Sequence, residues 1–199
     1  MLQKVNSARS LHPADVNSAP ALSVPDNNLL YVPEWLRLYV LDAYKEECIY
    51  LRNVYRDKAN RQELVTFGTF SVPESFYCKK TGHFNAVEAM ICFNQLALIS
   101  LADFMMDYSD HAFNTYYSKN QLSSFKNRLA SETYIASMTS RFSRLITGSS
   151  ITGNLIITKV RTRQGKLFLA GHYWFNDAIG NRRATPCFSG ECIFVTPQL

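Results

Sequence analysis

The longest apolar run in the chain extends from Phe84 to Met106 and is non-polar on nearly every side of a helical projection. Asn85, Glu88, Asn94, Gln95, Ser100 and Asp103 are its interruptions. A helix apolar all round either spans a membrane or is wrapped by the rest of its own domain. Each acid placed at bilayer depth costs about 2.5–3.5 kcal/mol, so Glu88 and Asp103 argue against a membrane span and for a buried central helix.

The flanking patterns predict what wraps it. From Leu29 the chain becomes apolar, Pro33 suits a first helical turn, and Trp35, Leu38, Leu41 and Tyr44 recur three apart, giving a short helix to about Lys45. Cys48–Tyr55 and Glu63–Phe70 are rich in β-branched and aromatic residues and flank a polar turn, which predicts a hairpin. Tyr108–Ser131 reads as a loop with a helical piece over Asn120–Leu129. Four alternating stretches follow: Tyr134–Ile146, Ile151–Thr162, Lys166–Asn176 and Ala184–Val195, separated by turn-forming residues. This is an α+β plan with an antiparallel sheet curled around one long helix. Residues 1–28 lack periodicity and are expected to form a loosely attached tail before a single domain over 29–199.

Composition narrows the class. In 199 residues, 47% hydrophobic and 19% charged content is that of a soluble globular protein, with a net charge of +5. That charge favours anionic partners without singling out nucleic acid. Apart from Lys79-Lys80 and Arg182-Arg183 the cations are scattered and not interleaved with aromatics, so no nucleic-acid partner is expected. The five cysteines lack any CxxC spacing and the four histidines any HxxxH pairing. They predict reduced thiols in a cytoplasmic protein with neither metal nor other cofactor. Met1 to Asn28 is polar with no apolar core segment, so no signal peptide is expected.

Candidate chemistry gathers where Thr81-Gly82-His83-Phe84-Asn85 enters the long helix. Unpaired backbone N–H groups at a helix start carry partial positive charge, and Gly82 permits close approach of a bound group, so this tip suits a thioester carbonyl or enolate oxygen. Lys79 and Lys80 would add positive potential for a phosphorylated carrier. His83 suits proton transfer. Asn85 and Glu88, three apart, are either catalytic or a capping box. Glu88, Cys92 and Gln95 share a helix face, whereas Asn94 lies roughly 120° from Glu88 and is either a structural bridge or a pocket group. Tyr44 and Tyr77, two of 11 tyrosines, either donate phenols to an oxyanion or fill core or rim positions. No nucleophile elbow is present and Cys92 is expected to be buried, which favours activation of a water or an amine over a covalent intermediate. In Ser140-Arg141-Phe142-Ser143-Arg144, Arg144 shares a strand face with Ser140 and Phe142, opposite Arg141. The stretch is either a solvated edge strand or an anion clamp.

Thr81–Glu88, continuing to Cys92-Phe93-Asn94-Gln95-Leu96, resembles the signature of FcoT-like proteins, long-chain acyl thioesterases of the hotdog fold. Pro73–Tyr77, Cys48–Leu51 and Ser140–Phe142 extend the resemblance over roughly Leu36 to Ile146, with Pro73 standing where the pattern has Gly. It implies a hotdog domain and an acyl pocket associated with Tyr44 (after a one-residue gap), Tyr77, Asn85 and Asn94. Some members of that family add glycine to the β-carbon of a (2E)-enoyl group on an acyl carrier protein, an early step toward isonitrile lipids and lipopeptides. The resemblance therefore implies an acyl-carrier-protein or acyl-CoA thioester as substrate, with glycine as co-substrate or water as the alternative. For addition, the backbone at Gly82 and His83 would hold the enolate, His83 or Glu88 would take the ammonium proton, and Arg141 or Arg144 would hold the glycine carboxylate. A non-catalytic acyl-binding module is the remaining class. Proteins resembling hotdog folds usually dimerise, so a homodimer or larger homo-oligomer is expected, with Asn94 of one chain serving the other chain's site.

Overall fold

The computed structural model describes residues 28–75, 83–107, 122–146, 150–177 and 186–197. Seven strands form one antiparallel sheet in the order β1-β2-β3-β5-β6-β7-β4. They are β1 (Leu29–Tyr31), β2 (Leu51–Asp57), β3 (Leu64–Ser71), β4 (Tyr134–Phe142), β5 (Ser150–Arg163), β6 (Lys166–Asp177) and β7 (Phe188–Pro197). Three α-helices, α1 (Glu34–Leu41), α2 (Ala86–Asp107) and α3 (Leu122–Glu132), complete the described structure. The long helix α2 lies against the sheet, which is the hotdog arrangement.

Helix α2 is long and apolar enough to cross a membrane, yet most of it is buried inside the protein. Phe93 packs against Tyr173 and Phe194 with ring centroids 4.8 and 6.4 Å apart, and Phe175 meets Phe70, Phe84 and Phe188. Gly68 and Gly153 stand opposite each other across β3 and β5. A Cβ on Gly68 would lie 3.0 Å from Leu96 of α2, and one on Gly153 would lie 2.5 Å from the Phe175 ring. The paired glycines thus cut a notch that lets helix and aromatic core approach the sheet.

The buried polar residues of α2 are bonded out of the helix. Gln95 accepts from the Tyr50 and Leu51 amides (3.1 and 3.0 Å) and donates to the Cys48 carbonyl (2.6 Å). Ser100 pairs with Thr66 at 2.7 Å, and Asp103 accepts from Arg56 at 3.1 Å in a buried ion pair. These bonds fix the helix against β2 and β3, because a buried polar group left without a partner costs about 1–3 kcal/mol.

Several boundaries differ from the sequence expectation. The first helix ends at Leu41 rather than near Lys45, because the Tyr44 amide turns back to the Leu41 carbonyl and a 3-10 turn over Glu46–Cys48 follows. That turn delays β2 to Leu51. Strand β4 ends at Phe142, not Ile146, because the Ser143 and Arg144 amides both turn to the Cys187 carbonyl. Strand β1, pairing with the far end of β2, was not anticipated.

Candidate active site

Between the C-terminal end of α1, the middle of α2, the start of β4 and β7 lies a cavity of about 460 Å³. Its apolar wall comes from Val40, Ala97, Leu98, Ile135 and Phe194, and its polar lining includes Tyr44, Asn94, Lys126 and Thr133. The volume falls within the roughly 300–1,000 Å³ of small-molecule sites, as does a mostly apolar lining with a few polar groups.

Asn94 decides how the cavity reads. Glu88, Gln95, Ser100 and Asp103 each have a hydrogen-bond partner outside the helix. Asn94 is half-buried, lines the cavity, and makes no side-chain hydrogen bond among the described residues. Of the two roles open to it, pocket group or bridge to the sheet, the contacts are those of the pocket group. Tyr44 lies in the same lining, and burial raises its phenol above the ordinary range, so it stays a hydrogen-bond donor at neutral pH.

The helix start is built differently. The Asn85 side chain accepts from the Val87 amide at 2.8 Å, and Glu88 reaches back to the Asn85 amide at 3.2 Å. That is a capping box. The other Glu88 oxygen accepts from the Ser75 hydroxyl, and Glu88 is fully buried. Its contacts are therefore those of a cap and a tether to the segment after β3, not of an accessible base. His83 is exposed just ahead of the helix. Burial, and then the Glu88 carboxylate, push the Cys92 thiol well above its usual range, so it is no nucleophile. Tyr77, Gly82, Lys79, Lys80 and residues 1–27 lie outside the described residues.

The expected site residues thus fall into two groups. Tyr44 and Asn94 share the cavity; His83, Asn85 and Glu88 sit at the helix start and do not line it. From Asn85 to Asn94 the helix rises about 14 Å and makes about two and a half turns, which leaves the two residues on opposite sides. Arg141 is exposed on β4, which among the described residues pairs with β7 alone at the edge of the sheet. Arg144 lies beyond the strand's end and not on the face expected from alternation, because the chain has already turned toward Cys187. Neither arginine lines the cavity.

Two lining residues escaped sequence reasoning. The Lys126 ammonium is held 3.0 Å from Asp42 and 4.2 Å from the Tyr39 ring centroid. The Thr133 hydroxyl is buried without a partner among the described residues. Both depend on how α3 packs over α2 and β7, which brings Lys126 to Tyr39 and Asp42 and for which a polar helix of ordinary composition gives no local signal.

Comparison with known proteins follows the same line. Residues 39–184 match the FcoT-like thioesterase domain. A (2E)-enoyl-[ACP] glycyltransferase of Mycobacterium marinum is 31% identical over 142 residues, covering 71% of this chain and 74% of that protein. One from Mycobacterium bovis is 34% identical over 108 residues, covering 52% and 58%. Among solved structures, a variant of a thioesterase from Pseudomonas aeruginosa is 8% identical with a TM-score of 0.41, covering 86% of this chain and 99% of that one. That last likeness is too loose to bear on the site. The chain belongs to the FcoT-like thioesterase domain family.

Proposed function

We propose that the protein is an enzyme that processes acyl thioesters and adds glycine to the β-carbon of a (2E)-enoyl group carried on an acyl carrier protein. The observation that carries this reading is the 460 Å³, mostly apolar cavity in which Asn94 and Tyr44 present hydrogen-bonding groups with no partner among the described residues. The two glycyltransferase relatives support the choice of reaction.

The chemistry requires an unprotonated amine, polarisation of the thioester and an anchored carboxylate. The Tyr44 phenol and Asn94 amide donate hydrogen bonds to the thioester oxygen, where negative charge collects as the double-bond electrons shift. His83 accepts the proton that the glycine ammonium must lose before its nitrogen lone pair forms the new bond to the β-carbon. A proton delivered to the α-carbon then restores the thioester. Glu88 stays in the helix cap and positions Asn85. Lys126 on the cavity lining, whose partner Asp42 is largely exposed and free to turn to solvent, takes the glycine carboxylate in exchange for that ion pair, in place of Arg141 and Arg144.

The separation of His83 and Asn85 from the Asn94 cavity supports a homodimer in which the helix start of one chain completes the cavity of the other. The exposed edge of β4 is available for such pairing. The unpaired thiols Cys48, Cys92, Cys187 and Cys192 are consistent with a reducing, cytoplasmic setting.

Hydrolysis of a long-chain acyl thioester is the second reading, favoured by the thioesterase domain match. It uses the same cavity and oxygen-binding groups, with water as nucleophile. Mass spectrometry of an enoyl-carrier protein incubated with and without glycine decides between them. The glycyl adduct on the carrier, formed only when glycine is present, is expected. Free acid regardless of glycine identifies a thioesterase. No turnover, with undiminished acyl binding by His83→Ala and Asn85→Ala variants, identifies a binding module.

A further inference from the structure

Strand β5 runs beyond β3, whose pairing ends at Leu64 opposite Ile157, and continues with β6 to Arg163 opposite Lys166, while on the other side β7 follows β6 to Pro197 opposite Lys166. Val160 packs toward the core, so Lys159, Arg161 and Arg163 share the opposite, solvent face. Lys166 pairs beside Arg163, and all four cations are exposed. No acidic residue occurs between Ile151 and Asn176. Among the described residues, Lys159, Arg161 and Arg163 make no ion pair. Of the two acids on flanking elements, Glu132 holds Arg128 and lies within electrostatic reach of Lys166, and Glu191 lies 3.9 Å from His172, so neither pairs with Lys159, Arg161 or Arg163. An isolated cation on a strand merely solvates the surface. Four on one projecting tip, with no acid between them, produce a positive field that reaches a Debye length, about 8 Å at physiological salt.

The tip is tied to the cavity. The Lys166 ammonium sits 5.3 Å from the centroid of the Tyr134 ring, and Tyr134 lines the cavity. A partner seated on the tip is therefore one side chain from the opening through which a thioester arm must pass. Free coenzyme A needs no such extended surface, since its charge lies on a few phosphates, whereas an acidic protein presents carboxylates over a comparable span.

We propose that the Lys159–Arg161–Arg163–Lys166 face is the docking surface for an acidic acyl carrier protein. This rests on the acyl-thioester reading and specifies its carrier. The test variant is the triple Lys159→Gln, Arg161→Gln, Arg163→Gln, which leaves Lys166 and its contact with Tyr134 in place. The same enoyl group is supplied on a purified acidic type II acyl carrier protein, on coenzyme A and on N-acetylcysteamine. For the carrier-bound substrate, KM rises about tenfold or more and loses its salt dependence while kcat is unchanged. The other two substrates keep their KM within about twofold, because no docking charge is involved. An unchanged KM for the carrier-bound substrate overturns the proposal, and so does an equal rise for the coenzyme A thioester. Tighter binding of wild-type protein to single-stranded RNA or to anionic vesicles than to the carrier overturns it as well. Anisotropy with the labelled carrier protein separates docking from catalysis: salt-sensitive binding that the triple variant loses supports the surface even if no thioester is turned over, an outcome that refutes the catalytic reading alone.

Discussion

Two adjacent amides on α2, Asn94 and Gln95, are predicted to behave oppositely when replaced by leucine. Gln95 satisfies three backbone groups, the Tyr50 and Leu51 amides and the Cys48 carbonyl. Gln95→Leu leaves them without that partner where α2 meets the entry to β2. At about 1–3 kcal/mol for each orphaned group, the loss is about 3 kcal/mol at the least. For a chain of this size 1 kcal/mol is worth about 2–4 °C, so Tm falls by about 6–12 °C. Asn94→Leu removes a half-buried side chain that satisfies no described neighbour. Its stability changes by no more than about 1 kcal/mol. Turnover, however, drops about 10²–10³-fold, the usual cost of one donor to a developing oxyanion. Thermal melts and steady-state kinetics on both variants suffice. Asn94→Leu melting as low as Gln95→Leu would make Asn94 a structural bridge, and full activity in Asn94→Leu would remove the cavity from the chemistry.

Glu88→Gln is expected to lower Tm, because Ser75 and the Asn85 amide lose a charged acceptor, yet to retain turnover within about threefold, whereas loss of a general base costs about 10²–10⁴-fold. Mixing His83→Ala with Asn94→Ala, each nearly inactive alone, should restore about a quarter of wild-type activity, since half of randomly paired C2 dimers are mixed and each of those keeps one intact composite site; no recovery after subunit exchange rules out a shared site. Stability should decline as pH rises above 9. Burial pushes the Cys192 thiol from 9.0 up to about 12 and the Tyr173 phenol from 10.0 up to about 12. The unfolded groups ionise first, so the stabilisation is complete below the unfolded values and is lost as pH approaches the folded ones. Urea midpoints at about pH 8 and about pH 10.5 measure this decline, which Cys192→Ala should reduce, and equal midpoints would refute it.

The fold was legible because one period dominates each segment. An all-round apolar helix next to alternating stretches leaves few ways to bury both, and α2 with β5 and β6 lies within a few residues of its expected place. Boundaries slipped where a tertiary bond overrode local pattern, as at the Cys187 carbonyl that ends β4 and the 3-10 turn that delays β2. The capping box was readable from the Asn85–Glu88 spacing, whereas the angular offset of Asn94 left bridge and pocket group equally open. Sequence could not show which polar residues of α2 find partners across the sheet; Gln95 and Asn94 are chemically alike and differ only in what faces them. Lys126 and Thr133 join the cavity through the docking of α3, a contact between segments far apart in the chain. The basic hairpin face was hidden for another reason. Alternation spreads Lys159, Arg161 and Arg163 among apolar and polar neighbours, and only strand register brings Lys166 beside them.

A crystal structure with a non-hydrolysable (2E)-enoyl pantetheine amide tests most directly whether the cavity beside Asn94 receives the acyl group. The carbonyl oxygen within hydrogen-bond reach of Asn94 and Tyr44, and the acyl chain running along Ala97 and Leu98, is the predicted result. Ligand density elsewhere on the protein, with these four residues untouched, would contradict it.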